Sequence, residues 1–561
     1  MVQLGAVVFS ACLLRAASAL VARGPQPAPG PCAGNSPSTR NEWCNYSIAT
    51  DYSREAPDTG VTREYWLELT NVNVALDGVP RPAMAINGSI PGPTIFADWG
   101  DTVVVHVKNS LTTSNNGTSM HFHGIRQHFT NSNDGVVSVT QCPTPKGETV
   151  KYTWKATQYG SSWYHSHFGL QAWEGVFGGI VINGPATANY DVDLGPVFLN
   201  DWDHSTADEL ATAHKSALLP PIQANGLING TNVFGNVGKR LNIRFEAGKS
   251  YRMRLINAAL ETHFKFMIDN HEMKVIAADF VPINPYTTNV LDLTMGQRYD
   301  IIVTANQAAN GKNFWMRAVP QVLCTWLNGS GDNIKAIVHY DDKPDEPRTL
   351  PPLFLPGCDD DTSKLVPWVR ADARSPDQTV SETAIILKKG QYFEWTLNNT
   401  SLKTEWGNPT ASKVLAGNAT FQREEAIIDL PTPNTMFYLV INNPLPNPHP
   451  IHLHGHDFFV LSQGLGWYLG NGLKMQNPPR RDTALLPSSG HLVIGFETDN
   501  PGVWLLHCHI GFHAVEGFAL QFVERKSEIP ALYDRERLDD GCKAWNTFQT
   551  TKGIMQDDSG I

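Results

Sequence analysis

Apolar and polar residues alternate over short runs through most of the chain, and turn-forming clusters separate the runs. Between about 61 and 184 the runs are Tyr65-Trp66-Leu67-Glu68-Leu69-Thr70, Thr102-Val103-Val104-Val105-His106-Val107, Val150-Lys151-Tyr152-Thr153-Trp154 and Gly179-Ile180-Val181-Ile182. Clusters such as Asn87-Gly88-Ser89-Ile90-Pro91-Gly92-Pro93 fall between them, and Asn183-Gly184-Pro185 closes the stretch. β-Branched and aromatic runs at this spacing predict the short strands of a sandwich or barrel. A second stretch repeats the style with Val197-Phe198-Leu199, Leu241-Asn242-Ile243-Arg244-Phe245, Tyr251-Arg252-Met253-Arg254-Leu255-Ile256 and Tyr299-Asp300-Ile301-Ile302-Val303. The polar, Pro-broken linker Asp341-Asp342-Lys343-Pro344-Asp345-Glu346-Pro347 and a Pro-rich connection to about 367 lead into a third. That one opens with a less clear segment, then gives Phe437-Tyr438-Leu439-Val440-Ile441, Phe458-Phe459-Val460-Leu461 and His491-Leu492-Val493-Ile494-Gly495-Phe496. The tail after about 524 reads as helical and polar. The expectation is an all-β chain of three similar modules, 32–185, 186–345 and 346–561, with short helices.

Composition agrees with that reading. A chain of 561 residues is too long for one ordinary core. Only 17 % of residues are charged, while 46 Gly and 38 Pro supply turns, which favours a loop-rich β protein over a helical or disordered one. A net charge of −11 argues against nucleic acid or an anionic membrane as partner. The apolar run from Met1 to Leu14, followed by Ala17-Ser18-Ala19, reads as a secretory signal over residues 1–19, although Arg15 interrupts its end and no basic residue precedes it. Residues 20–31, rich in Pro and Gly, read as a short propeptide. No later apolar run is long enough to suggest an anchor. Eight glycosylation sequons support export: Asn45, Asn87, Asn116, Asn229, Asn328, Asn398, Asn399 and Asn418. An oxidising compartment would let cysteines pair. Cys12 leaves with the signal, and Cys508 lies in a histidine motif. The remaining six allow many connectivities; short loops suggest Cys32–Cys44 and Cys324–Cys358, leaving Cys142–Cys542.

Chemistry concentrates in four motifs that hold ten of the 19 histidines. They are His121-Phe122-His123-Gly124, His165-Ser166-His167, His449-Pro450-Ile451-His452-Leu453-His454-Gly455 and Leu506-His507-Cys508-His509-Ile510-Gly511-Phe512-His513. On a strand, alternate side chains share a face. His507 and His509 therefore point one way and Cys508 the other, and His513 can return to the thiolate side if the chain turns after Ile510. Cys with His prefers copper or zinc, and a peptide bridging two sites suggests electron transfer, which zinc cannot perform. One His-x-His has ordinary explanations, such as a hydrogen-bonded pair or an adventitious metal site. Four in one chain, one of them carrying Cys, do not. His456 continues the alternating row after Gly455 and is read as structural.

With these motifs the sequence resembles the multicopper oxidases, and among them the ascomycete-type fungal laccases. The resemblance spans nearly the whole mature chain and includes Asn87-Gly88-Ser89-Ile90-Pro91-Gly92-Pro93, Arg254-Leu255-Ile256-Asn257 and Gly296-Gln297-Arg298-Tyr299-Asp300. It implies three cupredoxin-like Greek-key modules and four copper ions. His449, Cys508 and His513 match the type 1 ligands. His121 and His452 match type 2. His123, His165 and His509 match one type 3 copper, and His167, His454 and His507 the other. The trinuclear cluster would then lie between modules one and three, joined to the type 1 copper through Cys508, His507 and His509. The family's axial position, ten residues after the cysteine, is Phe518, which cannot coordinate and would raise the potential. Glu261 matches the substrate-pocket carboxylate that accepts a phenolic proton. Asp134 matches an acid near the type 2 copper, with an Asx turn at Asp134-Gly135 as the competing reading. Asp558-Ser559-Gly560-Ile561 resembles an ending that plugs the channel to the trinuclear site. Phe122, where Trp is common, and Gly511-Phe512 depart from the family pattern without removing a ligand.

The expected activity is laccase: one-electron oxidation of phenols and aromatic amines coupled to reduction of dioxygen to water, in a secreted monomer serving lignin or phenolic breakdown, detoxification or pigment formation. Bilirubin, ascorbate or metal oxidation are alternatives within the family, and non-catalytic copper binding is the alternative outside it.

Overall fold

Thr102–Asn109 shows how the pattern becomes structure. Val103, Val105 and Val107 are fully buried, while the residues between them face outward or stay half-buried. Each such valine contributes roughly 1.5–3 kcal/mol by leaving water. In the computed structural model residue 32 and residues 34–561 are described, except 114–116, 218, 343, 359, 391, 418 and 419. The signal and propeptide assignments, and the sequons at Asn116 and Asn418, fall outside the described residues.

Apart from two small two-stranded sheets, Glu42–Trp43 with Tyr46–Ser47 and Val233–Phe234 with Val237–Gly238, the described strands form three successive pairs of sheets, and no sheet mixes strands from different pairs. In the first pair, Arg81–Ile86, Thr62–Val74, Thr102–Asn109 and Thr149–Lys155 lie against a sheet of Gly92–Asp98, Phe177–Asn183, Gly160–His165 and His121–Phe122. The second pair holds six and five strands between Val192 and His339, and the third six and five between Gln378 and Glu524. Each of these six sheets contains one parallel pairing in an otherwise antiparallel ladder. Examples are Thr62–Val74 with Thr102–Asn109, Val192–Trp202 with Ser250–Asn257, and Ile427–Leu430 with Ala519–Glu524. The faint repeat in the sequence is therefore a clear repeat in topology, a Greek-key-like order with non-consecutive neighbours.

Two details differ from the sequence reading. The less clear start of the third stretch forms the strands Gln378–Lys389 and Tyr392–Leu397. Most positions of Gln378–Lys389 are exposed or half-buried, so no alternation marks it. The strand bearing the cysteine, Gly502–Cys508, stops at Cys508, and the short helix Gly511–Val515 follows. Gly511 explains that local departure from the family pattern, because a Cβ there would collide with Trp173 and Leu260.

The polar tail is the helix Arg535–Lys552, capped by Asp534 accepting from the Arg537 amide and ended by Gly553 in the left-handed region. Its Trp545 is fully buried near Phe168 and Trp406, with ring centroids 5.9 and 6.0 Å away. Cys542 on this helix bonds Cys142, 400 residues earlier, and Cys32–Cys44 and Cys324–Cys358 are also joined. The chain then returns to the core. Ser559 donates its amide to Val515 O and its hydroxyl to Ala514 O, both at 2.9 Å, and Ile561 is buried among Val136, Val139 and Leu402.

Because Cys142–Cys542 ties the last helix to the first module, replacing both cysteines by serine is expected to cost about 2–5 kcal/mol. A urea unfolding curve unchanged by the double substitution would contradict that role.

Candidate metal centres

His449, Cys508 and His513 meet on the thiolate side. His449 sits on the strand His449–Leu453, which pairs with Gly502–Cys508 so that Ile451 faces Cys508 and His452 faces His507. The turn of helix after Ile510 brings His513 back. Cys508 Sγ lies 3.7 Å from His449 Nδ1 and 3.6 Å from His513 Nδ1, and the two nitrogens are 3.3 Å apart. Such a trigonal N₂S set suits a blue-copper site. Phe518 lies over it, 4.8 Å from the His449 ring, and is fully buried. Trp395 packs beside it, 4.0 Å from the His513 ring and stacked on Phe518 at 5.5 Å. Nothing in the sequence pattern marks Trp395, which lies in the unpatterned start of the third module.

On the opposite side eight buried histidines close into a cage. Three all-histidine ligand-like sets occur: His121, His123 and His452; His123, His165 and His509; and His167, His454 and His507; a further group joins His121 and His454 to Asp134. Three of the four His-x-His pairs are split between sets, while His121 and His123 share the first and His123 also enters the second, and each motif straddles the end of a strand instead of lying wholly on one. His165 ends Gly160–His165, and His507 precedes the last residue of Gly502–Cys508. The first and third modules supply all eight rings. Seven of the eight present a buried ring nitrogen with no hydrogen-bond partner inside the cage: His121 Nε2, His123 Nδ1, His165 Nε2, His452 Nε2, His454 Nε2, His507 Nε2 and both nitrogens of His509. Buried polar atoms are almost always paired, so convergent unpaired imidazole nitrogens fit metal ions.

The opposite nitrogens are pinned. Nδ1 of His121, His165, His452 and His507 donates to the carbonyls of Asp134, Ser166, Asp482 and Cys508 at 2.8–3.0 Å. His454 Nδ1 donates to Asp134 Oδ2 at 3.0 Å, and Asp134 Oδ1 lies 3.2 Å from His121 Nδ1. Asp134 is thus a buried carboxylate against two cage histidines. Its own amide bonds Asn131 O, and Gly135 is fixed because a Cβ there would strike Met120 O. Asp482 escaped the sequence reading. Its side chain takes His123 Nε2 at 3.2 Å and is gripped by Arg298 through both guanidinium nitrogens, at 2.6 and 2.5 Å. Its signal was the run of charge Arg480-Arg481-Asp482 entering an apolar strand, where a charge must be paired. His456 stays outside the cage, with Nε2 3.0 Å from Glu524 Oε2.

Glu261 follows the strand Ser250–Asn257. Its backbone is held by Asp201, which accepts from the Leu260 and Glu261 amides at 2.8 and 2.9 Å, and Leu260 O accepts from Gly511 N at 3.0 Å. The loop therefore abuts the turn carrying His513. The Glu261 carboxyl is 4 % exposed, accepts from Gln223 Nε2 at 2.7 Å, and is pushed well above the usual carboxylate range by burial.

Comparison with known proteins settles the relationship. The pattern described as multicopper oxidase matches residues 68–187, 193–342 and 401–528. The chain belongs to the multicopper oxidase family. It is 45 % identical to Laccase-1 of Botryotinia fuckeliana over 94 % of this chain and 93 % of that one, and 42 % identical to Laccase-2 of the same fungus over 94 % and 93 %. The solved laccase of Botrytis aclada superposes with a TM-score of 0.90 at 42 % identity, covering 94 % of this chain and all of that one. This multicopper oxidase is of the fungal laccase type, and its cofactor is copper, with one type 1, one type 2 and two type 3 ions. Among the described residues no helix is long and apolar enough to cross a membrane.

Burial drives most of the cage imidazoles and both thiolate-side imidazoles toward their neutral form. His449 and His507 are pushed down to about 3, and His123, His165, His167, His454, His509 and His513 well below 6.5. The Cys508 thiol is pushed up by the same burial. Unfolding returns each ring to about 6.5, so below that pH the unfolded chain binds more protons. The stability these rings contribute is therefore complete above about 6.5 and is lost as pH falls toward 3, by up to ~1.4 kcal/mol per pH unit for each ring. Metal-free protein should show a urea midpoint that drops steadily from about pH 7 to about pH 5. A midpoint constant across that interval would contradict the burial of neutral rings.

Proposed function

We propose that this enzyme withdraws electrons singly from phenols and aromatic amines at His449, Cys508 and His513, and delivers them to dioxygen at the histidine cage. One observation carries the reading. Cys508 Sγ belongs to one donor set, while His507 and His509, its covalent neighbours, belong to two of the three three-histidine sets of the cage. Bound copper supplies the one-electron redox chemistry at both places. In this reading His449, Cys508 and His513 hold type 1, His121 and His452 type 2, and His123, His165, His509 and His167, His454, His507 the two type 3 ions. The modules follow the boundaries 32–185, 186–345 and 346–561, consistent with the three sheet pairs. Four phenols each lose one electron and one proton, and one dioxygen takes up four of each to give two waters.

The surroundings support an aromatic substrate. Gln223, which holds Glu261, is bonded to the loop at Gly329, and the adjoining Ile222, Leu323 and Trp326 are exposed apolar side chains. Exposed apolar side chains near a carboxyl group are what an aromatic phenol would rest against. Glu261 accepts the phenolic proton as the electron leaves. Asp134, with Oδ1 unpartnered beside His121, stands where protons consumed in water formation can be held. Phe518 provides no ligand atom and favours the reduced metal. The buried Ser559–Ile561 ending, with Asp558 beside Gly169 near the His165-Ser166-His167 turn, is read as the plug. The three disulfides fit a secreted protein, here taken as a monomer.

Oxygen uptake with a phenol such as syringaldazine tests the assignment. Copper-loaded protein should consume oxygen without releasing peroxide, and no uptake would leave only copper binding. Glu261→Gln separates the proton role. Since burial raises this carboxyl, its proton-accepting form appears only at higher pH, and wild-type phenol oxidation should rise with pH on the acid side. The substitution should lower phenol oxidation by about 10²-fold or more and abolish that rise, while oxidation of a non-phenolic dye changes little; equal losses on both substrates would exclude the role. Phe518→Met should lower the type 1 potential in a redox titration, and an unchanged potential would remove Phe518 from the tuning.

A further inference from the structure

We propose that Asp482, clamped by Arg298 from the ligand-free middle module, is the positioning residue that decides which nitrogen His123 offers to the cage. The proposal rests on the copper assignment above and concerns how its ligands are oriented.

His121, His165, His452, His454 and His507 all turn Nδ1 outward to an oxygen and Nε2 inward. His123 is reversed. Its Nε2 meets Asp482 Oδ1 and Thr483 Oγ1, both at 3.2 Å, and its Nδ1 is the buried, unpartnered atom. A neutral imidazole has one N–H, and a carboxylate acceptor fixes that hydrogen on the nitrogen it faces. Asp482 acts on two ligands with opposite results. Its carboxylate takes the N–H of His123 from Nε2, and its backbone carbonyl takes that of His452 from Nδ1 at 2.8 Å. The two rings lie stacked, 3.8 Å apart and 13° from parallel.

The carboxylate keeps this orientation because of the middle module. Arg298 opens the strand Arg298–Thr304 and binds Asp482 bidentately, and its own amide donates to Asp279 Oδ1 at 2.8 Å. Arg481 closes the network through Asp279 and Asp360. A planar two-point grip fixes the carboxylate plane as a point charge would not. Close approach is required as well. A Cβ at Gly296 would come to 3.0 Å from His509 Cδ2 and 3.1 Å from His123 Cε1, and one at Gly124 would collide with Asp482 and Arg298. The module without ligands thus forms a wall of the cage and sets the tautomer of one of its rings.

Asp482→Asn, Arg298→Lys and, as a control, Arg481→Lys are compared with wild type after copper loading. Copper per chain, the electron paramagnetic resonance signal of the whole cage and the blue absorption of the Cys508 site are measured. Arg298→Lys keeps the charge and loses the two-point grip, so it serves even if Asp482→Asn fails to fold. Asp482→Asn and Arg298→Lys should alter the cage signal and release cage copper to a chelator about 10–100-fold more readily, with the blue absorption retained. Arg481→Lys, one ion pair further from the ligands, should lower stability and leave the signal unchanged. A wild-type signal and wild-type copper retention in Arg298→Lys, or in soluble Asp482→Asn, overturns the proposal. Wild type that binds no cage copper would instead overturn the copper assignment itself.

Discussion

Imidazole nitrogens buried without a protein partner are the constraint around which this molecule is built. A buried unsatisfied polar atom typically costs about 1–3 kcal/mol, and seven cage histidines carry at least one. The cost is accepted because the opposite side of most rings is held by a carbonyl or carboxylate, which leaves the inward nitrogen aimed at a metal. Rigidity comes from the sheets. Strand pairing places His452 opposite His507, and the end of that strand places Cys508 on the other side. One peptide segment therefore links the thiolate set to the cage through covalent bonds, and neither set can shift without moving the other.

Chain connectivity explains why three modules are needed. The eight cage histidines come from the first and third modules, the first group ending at His167 and the second beginning at His452. The middle module spans that gap and presses Gly296 and Arg298 against the rings. Around the thiolate set the same economy appears: Gly511 lets Trp173 and Leu260 approach, Ser559 ties down the turn that carries His513, and Trp395 and Phe518 cover the two imidazoles.

Much of this could be read in the sequence, for definite reasons. Alternation identified strands wherever one face is buried, as in Thr102–Asn109, and failed at Gln378–Lys389, whose positions are mostly exposed or half-buried. The candidate ligands were legible because metal-binding residue types recur at strand spacing within a few positions of one another. Asp482 and Trp395 were not, because their roles depend on partners far away in the chain: Arg298 lies 184 residues from Asp482, and His449 and His513 follow Trp395 by more than 50. The reversal of His123 was hidden too, since the motif His121-Phe122-His123 looks symmetrical and only the surrounding acceptors distinguish its two rings. The signal and propeptide assignments rest on sequence alone.

The most direct measurement is copper-edge anomalous diffraction from crystals of the copper-loaded protein. Four peaks are expected: one between Cys508 Sγ and the Nδ1 atoms of His449 and His513, and three inside the cage of eight histidines, with His123 approached on its Nδ1 side. Peaks confined to one of the two places, or cage peaks that lie away from the unpaired ring nitrogens, would contradict the assignment of a four-copper oxidase to this chain.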